Sequence, residues 1–191
     1  MLRVLFVVLG IFVVLGAISA FQFRERMSAA RLGSDVSYTV DAEGTAQVKM
    51  ANKSYFVDAE TEKNFDESVE RRGSPDSQAF QQGVEDSLKN VSAGREMAVS
   101  DFSASFERTK EYGAQVYRFR WSGFAQKVDG AWVIDFSNAK PMKFTKDSSF
   151  VIVLPAGATL VNAEPAPTTR EDNRLVWTTA GEMSWPRVEY R

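Results

Sequence analysis

Two patterns of apolar and polar positions divide the chain. From Val4 to Phe21 the residues read VLFVVLGIFVVLGAISAF, eighteen positions without a charge. At about 1.5 Å of rise per residue such a run is roughly 27 Å long as a helix, close to the hydrocarbon thickness of a bilayer. Its lipid-facing mass would be Val4, Leu5, Phe6, Val7, Val8, Leu9, Ile11, Phe12, Val13, Val14, Leu15 and Ile18. After this run the pattern changes to short alternating segments, the signature of strands with one buried face.

Gln22 to Ser34 is polar and reads as a helix continuation that breaks at Gly33-Ser34 into a linker. Val36–Val40 and Ala46–Met50 alternate around the turn residues 41–44, which predicts a hairpin that Ser54–Val57 extends. Asp58–Arg72 is charged and has no clear apolar period, so it reads as a solvated loop or frayed helix. Ser74-Pro75-Asp76 opens a helix in which Ser74 is the expected cap. Phe80, Val84, Leu88 and Val91 then share one face, and Gly94 is a natural stop.

From Met97 the period is two. Phe102, Ala104 and Phe106 alternate with serines, and Glu111-Tyr112-Gly113 reads as a turn. Tyr117, Phe119 and Trp121 then line one strand face, with Arg118 and Arg120 on the other. Asp129-Gly130 marks a tight hairpin before the strand 131–136. Phe150–Leu154, almost wholly apolar, reads as a central strand, and 173–178 and 185–190 supply the last ones. About eight or nine short strands and one amphipathic helix predict a mainly β fold, an immunoglobulin-like sandwich. The expected organisation is an anchor over 1–23, a juxtamembrane linker over 24–34 and a β-sandwich domain over 35–191.

Composition sharpens the picture mainly by exclusion. The chain has 191 residues, no cysteine and no histidine. Disulfides, thiolate metal sites, cysteine nucleophiles and Ser-His-Asp triads are closed to it. Net charge is −2, with Arg3, Arg24, Arg26 and Arg31 against Glu25 in the first 31 residues, which is +3 there and −5 in the remainder. A basic collar beside an apolar helix suits anionic headgroups, so membrane lipid is an expected partner. An acidic body makes nucleic acid an unsuitable one.

The apolar run has two readings, an uncleaved anchor or a signal peptide cut near Ala17-Ile18-Ser19. Its length and the charged Arg24-Glu25-Arg26 that would open the mature chain favour the anchor. The arginine balance taken alone favours a cytoplasmic body. Two N-x-S triplets, at Asn52 and Asn90, are candidate glycosylation acceptors and favour an exported one.

Candidate chemistry beyond this is thin. The acids between Asp58 and Glu70 fit no EF-hand spacing and are expected to be solvated. Arg118, Arg120, Lys140, Lys143 and Lys146 recur within thirty residues and are a candidate partner or anion surface. Tyr117, Phe119, Trp121, Phe124 and Trp132 could stack on sugars if exposed, but their alternation with arginines predicts a core. Asp129 with Asp135, or Glu85 with Asp86, could be proposed as a glycosidase pair, yet turn and helix patterns already explain them. No cofactor, metal or catalytic residue is expected.

A longer series runs through residues 117–125 (YRFRWSGFA), Asp135-Phe136, 154–158 (LPAGA), 164–167 (EPAP), 175–177 (LVW) and 185–190 (WPRVEY). With Tyr38-Thr39-Val40, Gly44-Thr45-Ala46 and 94–97 (GREM) upstream, it resembles a group of archaeal membrane-anchored proteins with an extracytoplasmic β-sandwich domain of unknown function. The resemblance implies an external domain on a single-pass anchor. Some members of that group carry a second membrane helix and a cytoplasmic winged-helix module; this sequence shows no second apolar run, so signalling through such a module is not expected. The expectation is a non-catalytic module that tethers or senses an envelope protein or glycan. The alternative is a structural or accessory subunit of a cell-surface filament or membrane complex. Oligomeric state is left open by the sequence.

Overall fold

A computed structural model describes residues 31–91, 96–137, 139, 141–178 and 180–191, the side chains of 89–91 excepted. The apolar run with its anchor residues from Val4 to Ile18, and Lys140, lie outside the described residues. Among the described residues no helix is long and apolar enough to cross a membrane.

The first hairpin joins β1 (Leu32–Val40) to β2 (Ala46–Tyr55). Asp41 closes it, its Oδ1 accepting from the amides of Glu43 at 3.1 Å and Thr45 at 2.8 Å. Gly44 is required there: φ is +77°, and a Cβ would stand 2.6 Å from the Trp132 ring. Two helices follow, α1 (Ala59–Arg72) and α2 (Ser77–Val91). Then come β3 (Ala98–Arg108), β4 (Tyr112–Ser122), β5 (Gln126–Val128), β6 (Ala131–Ile134), β7 (Met142–Phe144) and β8 (Ser149–Val153). The last strands are β9 (Leu160–Glu164), β10 (Thr169–Glu171), β11 (Arg174–Trp177), β12 (Gly181–Met183) and β13 (Arg187–Tyr190).

The fold is mainly β, with three sheets. Seven strands run in the order β10-β11-β8-β1-β2-β4-β3, four in the order β5-β6-β13-β9, and β12 pairs with β7. The β1–β8 pair is parallel, Asp35 opposite Ser149 through Thr39 opposite Val153. One face of the large sheet carries Val36, Tyr38, Val40, Val48, Met50, Tyr117, Phe119, Trp121, Phe150 and Ile152, all buried in one cluster. Ile134, Val188 and Tyr190 of the four-stranded sheet join that cluster from their own strands. The alternation of Tyr117, Phe119 and Trp121 is therefore a core pattern, and Phe150–Leu154 is an interior strand.

Helix α2 covers the β3–β4 side of this face. Phe80 stacks on Tyr117 with ring centroids 4.0 Å apart and planes 7° from parallel. Val84 and Leu88, one and two turns on, are buried in the same cluster. The helix starts later than the sequence predicts: Asp76 Oδ1 accepts from the Ala79 amide at 3.0 Å, so Asp76 rather than Ser74 caps it.

Three expectations are corrected. Of the two readings of Asp58–Arg72, solvated loop or frayed helix, the helix holds and is capped at both ends, so the described residues hold two helices instead of one. Asp58 Oδ1 accepts from the Thr61 amide at 2.7 Å, and Gly73 ends the helix with φ +69°. Its buried face is Thr61, Phe65 and Ser68, and one phenylalanine between a threonine and a serine gives no apolar period. The described residues form thirteen strands rather than eight or nine, the surplus being three- to five-residue pieces such as β7, β10 and β12. Strand β1 begins at Leu32, inside the stretch expected to be linker. Gly33 permits this, since a Cβ there would meet the Asp147 carbonyl oxygen at 2.4 Å.

Candidate functional surface

The second face of the seven-stranded sheet is made by the residues between those of the core. Register places Ser37, Thr39, Gln47, Lys49, Ala51, Lys53, Ala114, Val116, Arg118 and Arg120 on it, with Ser103, Ser105 and Glu107 from β3. At its centre Ala51, Ala114 and Val116 form a small buried cluster against Tyr112. Around them the charges are matched. Arg118 donates to Glu107 and, at 3.3 Å, to Ser105; Lys49 reaches Glu107 at 3.3 Å. Arg120 lies 3.7 Å from Asp41, and Lys53 pairs with Asp35.

The Arg118 hydrogen bond, opposed by burial and helped by Lys49, holds the Glu107 carboxyl below the usual glutamate range. Burial works against charge on Lys53, but the hydrogen bond and charge of Asp35 more than offset it and raise its pKa. In the core, away from this face, burial pushes the Tyr190 phenol up to about 12, with the Asp41 charge adding to it. Such a surface holds fixed, compensated charges. It can recognise a partner by hydrogen bonds and charge pattern.

Of the five basic residues expected to act together, the four described ones are divided among β4, β7 and the loop before β8. Arg118 and Arg120 share this face as the alternation predicts. Lys143 sits on β7 in the two-stranded sheet, 3.3 Å from Glu182. Lys146 precedes Asp147 in the loop before β8 and helps lower the Asp147 pKa. Of the two glycosylation candidates, Asn90 lies in α2. Asn52 lies within β2, accepts from Ser34 Oγ at 3.1 Å, and its Nδ2, the atom a glycan would occupy, is buried without a hydrogen-bond partner. The fold therefore disfavours a glycan at Asn52. Among the described residues no group of acids is arranged to hold a metal ion.

A second cluster, at the end of the sheet where β1 begins, has no signal in the sequence. Arg31 Nε donates to Asp147 Oδ2 at 2.6 Å and Nη2 to Oδ1, while its guanidinium lies over the Tyr55 ring, 4.6 Å from the centroid. That pairing holds the Asp147 carboxyl below its ordinary range. Thr145 donates to the Leu32 carbonyl at 3.0 Å, and the Ser34 amide donates to Ser148 Oγ at 3.0 Å. Tyr55 meets Tyr112 edge-on at 5.5 Å, with Lys53 Nζ 5.2 Å above Tyr112. Arg108 lies over Phe56 and pairs with Glu62 and Asp66. Arg31 and Asp147 are 116 positions apart, which is why neither pattern nor spacing could show the pair.

No protein with a curated description matches the chain. Among solved structures, the NMR structure of the folded domain of the Mycobacterium tuberculosis LppM protein is similar over 83% of this chain and 88% of its own, at 9% identity and a TM-score of 0.42. The family described as Domain of unknown function (DUF4897) matches residues 31–191, from the Arg31 clamp to the end of the last strand, and the chain belongs to that family.

Proposed function

We propose that the protein is a membrane-anchored, non-catalytic interaction module of the archaeal kind that its sequence resembles. The single-pass anchor is 1–23 with the uncharged run 4–21 inside it, the body faces outward, and its large and four-stranded sheets pack as an immunoglobulin-like sandwich. The observation that carries this reading is the uncharged run of eighteen residues, joined by ten residues to a body whose first strand starts at Leu32. The tether fixes the height of the domain and raises its local concentration. The face bearing Arg118 and Arg120 then selects an envelope protein or glycan through compensated charges and the strand hydroxyls around them. The acids paired with Arg118, Arg120 and Lys53 on that face support a binding role over a catalytic one.

The test is alkaline-carbonate extraction of native membranes, with protease added to intact cells. The protein stays in the pellet and its body is digested from outside. Release into the supernatant overturns anchoring, and a body protected in intact cells but cut after lysis overturns the orientation.

A further inference from the structure

The clamp end of the sheet combines features that belong against lipid. Among the described residues four large hydrophobic side chains are exposed: Leu32, Val57, Val128 and Val161. Two of them stand at this end, Leu32 at 44% and Val57 at 50% exposure. They are neighbours through the backbone, since Leu32 pairs with Ser54, the Tyr55 amide donates to the Arg31 carbonyl, and Val57 follows two residues later. The aromatic rings beside them, Tyr55, Phe56 and Tyr112, are only partly buried and stand under the cations Arg31, Lys53 and Arg108. Amphipathic rings and long cationic side chains around exposed aliphatics are the composition of a membrane–water interface.

We infer that this end, with Leu32 and Val57 at its tip and Tyr55 and Tyr112 at headgroup level, rests on the bilayer that holds the anchor. The inference depends on the anchored reading above. The chain outside the structure supplies the reason for choosing lipid as the occupant. The apolar run ends at Phe21 and the clamp begins at Arg31, so ten residues at up to about 3.5 Å each keep this end within roughly 35 Å of the membrane. The residue that receives that segment is part of the patch, so this end of the sheet leads toward the lipid. Charge does not drive the contact, because Asp58, Glu60, Glu62, Asp66 and Glu111 share this end with the cations. The matching surface is therefore a zwitterionic one, and apolar insertion of a few ångströms supplies the attraction.

The absence of cysteine makes the test direct. Single-cysteine variants of the full chain, Leu32→Cys, Val57→Cys, Val128→Cys and Val161→Cys, carry an environment-sensitive fluorophore in phosphatidylcholine vesicles with spin-labelled lipid. Val128 and Val161 are the controls. Their sheet includes Trp132, which meets Gly44 at the opposite end of β1. Labels at 32 and 57 shift to the blue and lose most of their emission to the quencher, while those at 128 and 161 keep theirs. If all four labels stay unquenched on vesicles that still float with the protein, the contact is refuted and the anchor stands. If the protein does not float with the vesicles, the anchored reading fails and this inference with it. A blue shift at 32 and 57 without quenching by lipid assigns the patch to a second copy of the chain and refutes the inference.

Discussion

Arg31 and Asp147 carry the residue-scale argument, because one pair joins the start of the first strand to the loop before β8. The bidentate hydrogen bond from Arg31 is the main cause of the lowered Asp147 pKa, with the Lys146 and Lys53 charges adding to it. A carboxyl whose folded pKa is depressed contributes stability that is fully present above its unfolded pKa, near 3.9, and that is lost as pH falls through the folded value. The clamp is therefore at full strength at neutral pH and weakens only in strong acid. Arg31→Gln moves the Asp147 titration back up toward the ordinary carboxylate range, as read by carbon NMR of the side-chain carboxyl. An unchanged midpoint would mean that Lys146 and Lys53, and not the guanidinium, set it. The sequence shows Arg31 as one more positive charge in a juxtamembrane collar. Its partner becomes visible only when the parallel β1–β8 pair brings residues 35 and 149 side by side.

At the scale of elements, the two helices show what a sequence pattern can and cannot reveal. Helix α2 is legible because Phe80, Val84 and Leu88 are large, apolar and four apart, and each one ends up buried. Helix α1 is illegible by the same measure. Phe65 is the large apolar residue on its buried face, packed between Phe56 and Phe106 over Gly113. Threonine and serine fill the rest of that face, and an apolar count passes over both. The strand alternation of 117–121 and the Asp129-Gly130 turn are legible for local reasons, and Asp129 and Gly130 adopt the positive φ values, +51° and +83°, that such a tight turn requires. Packing gives α2 its energetic weight. Phe80→Ala removes a ring stacked on Tyr117 and leaves a cavity beneath the helix, at a cost of about 3–5 kcal/mol. Urea unfolding monitored by the core tryptophans should show this as a lower midpoint with an unchanged slope. A loss below about 1 kcal/mol would mean that α2 is an appended element rather than part of the core.

For the whole molecule, the placement of β1 matters most. A chain that enters its domain from a tether could enter at a sheet edge, where a pull would peel the strand away one hydrogen bond at a time. Here the entering strand is central, flanked by β2 on one side and β8 on the other. Pulling β1 out of the sheet must therefore break two ladders together, one antiparallel over nine residue pairs and one parallel over five. The parallel ladder joins residues more than a hundred positions apart, so it closes late in folding and depends on the rest of the sheet being assembled. Local openings should follow the same geometry, with the edges opening first and the centre opening only in global unfolding. In native-state hydrogen exchange on the full chain, amides of Val36–Val40 and of Phe150–Ile152 exchange slowest. Those of the three-residue edge strand β10 exchange fastest among the large sheet's strands. If β1 exchanges as fast as β10, the strand opens locally and the central ladders are not the most stable part of the sheet.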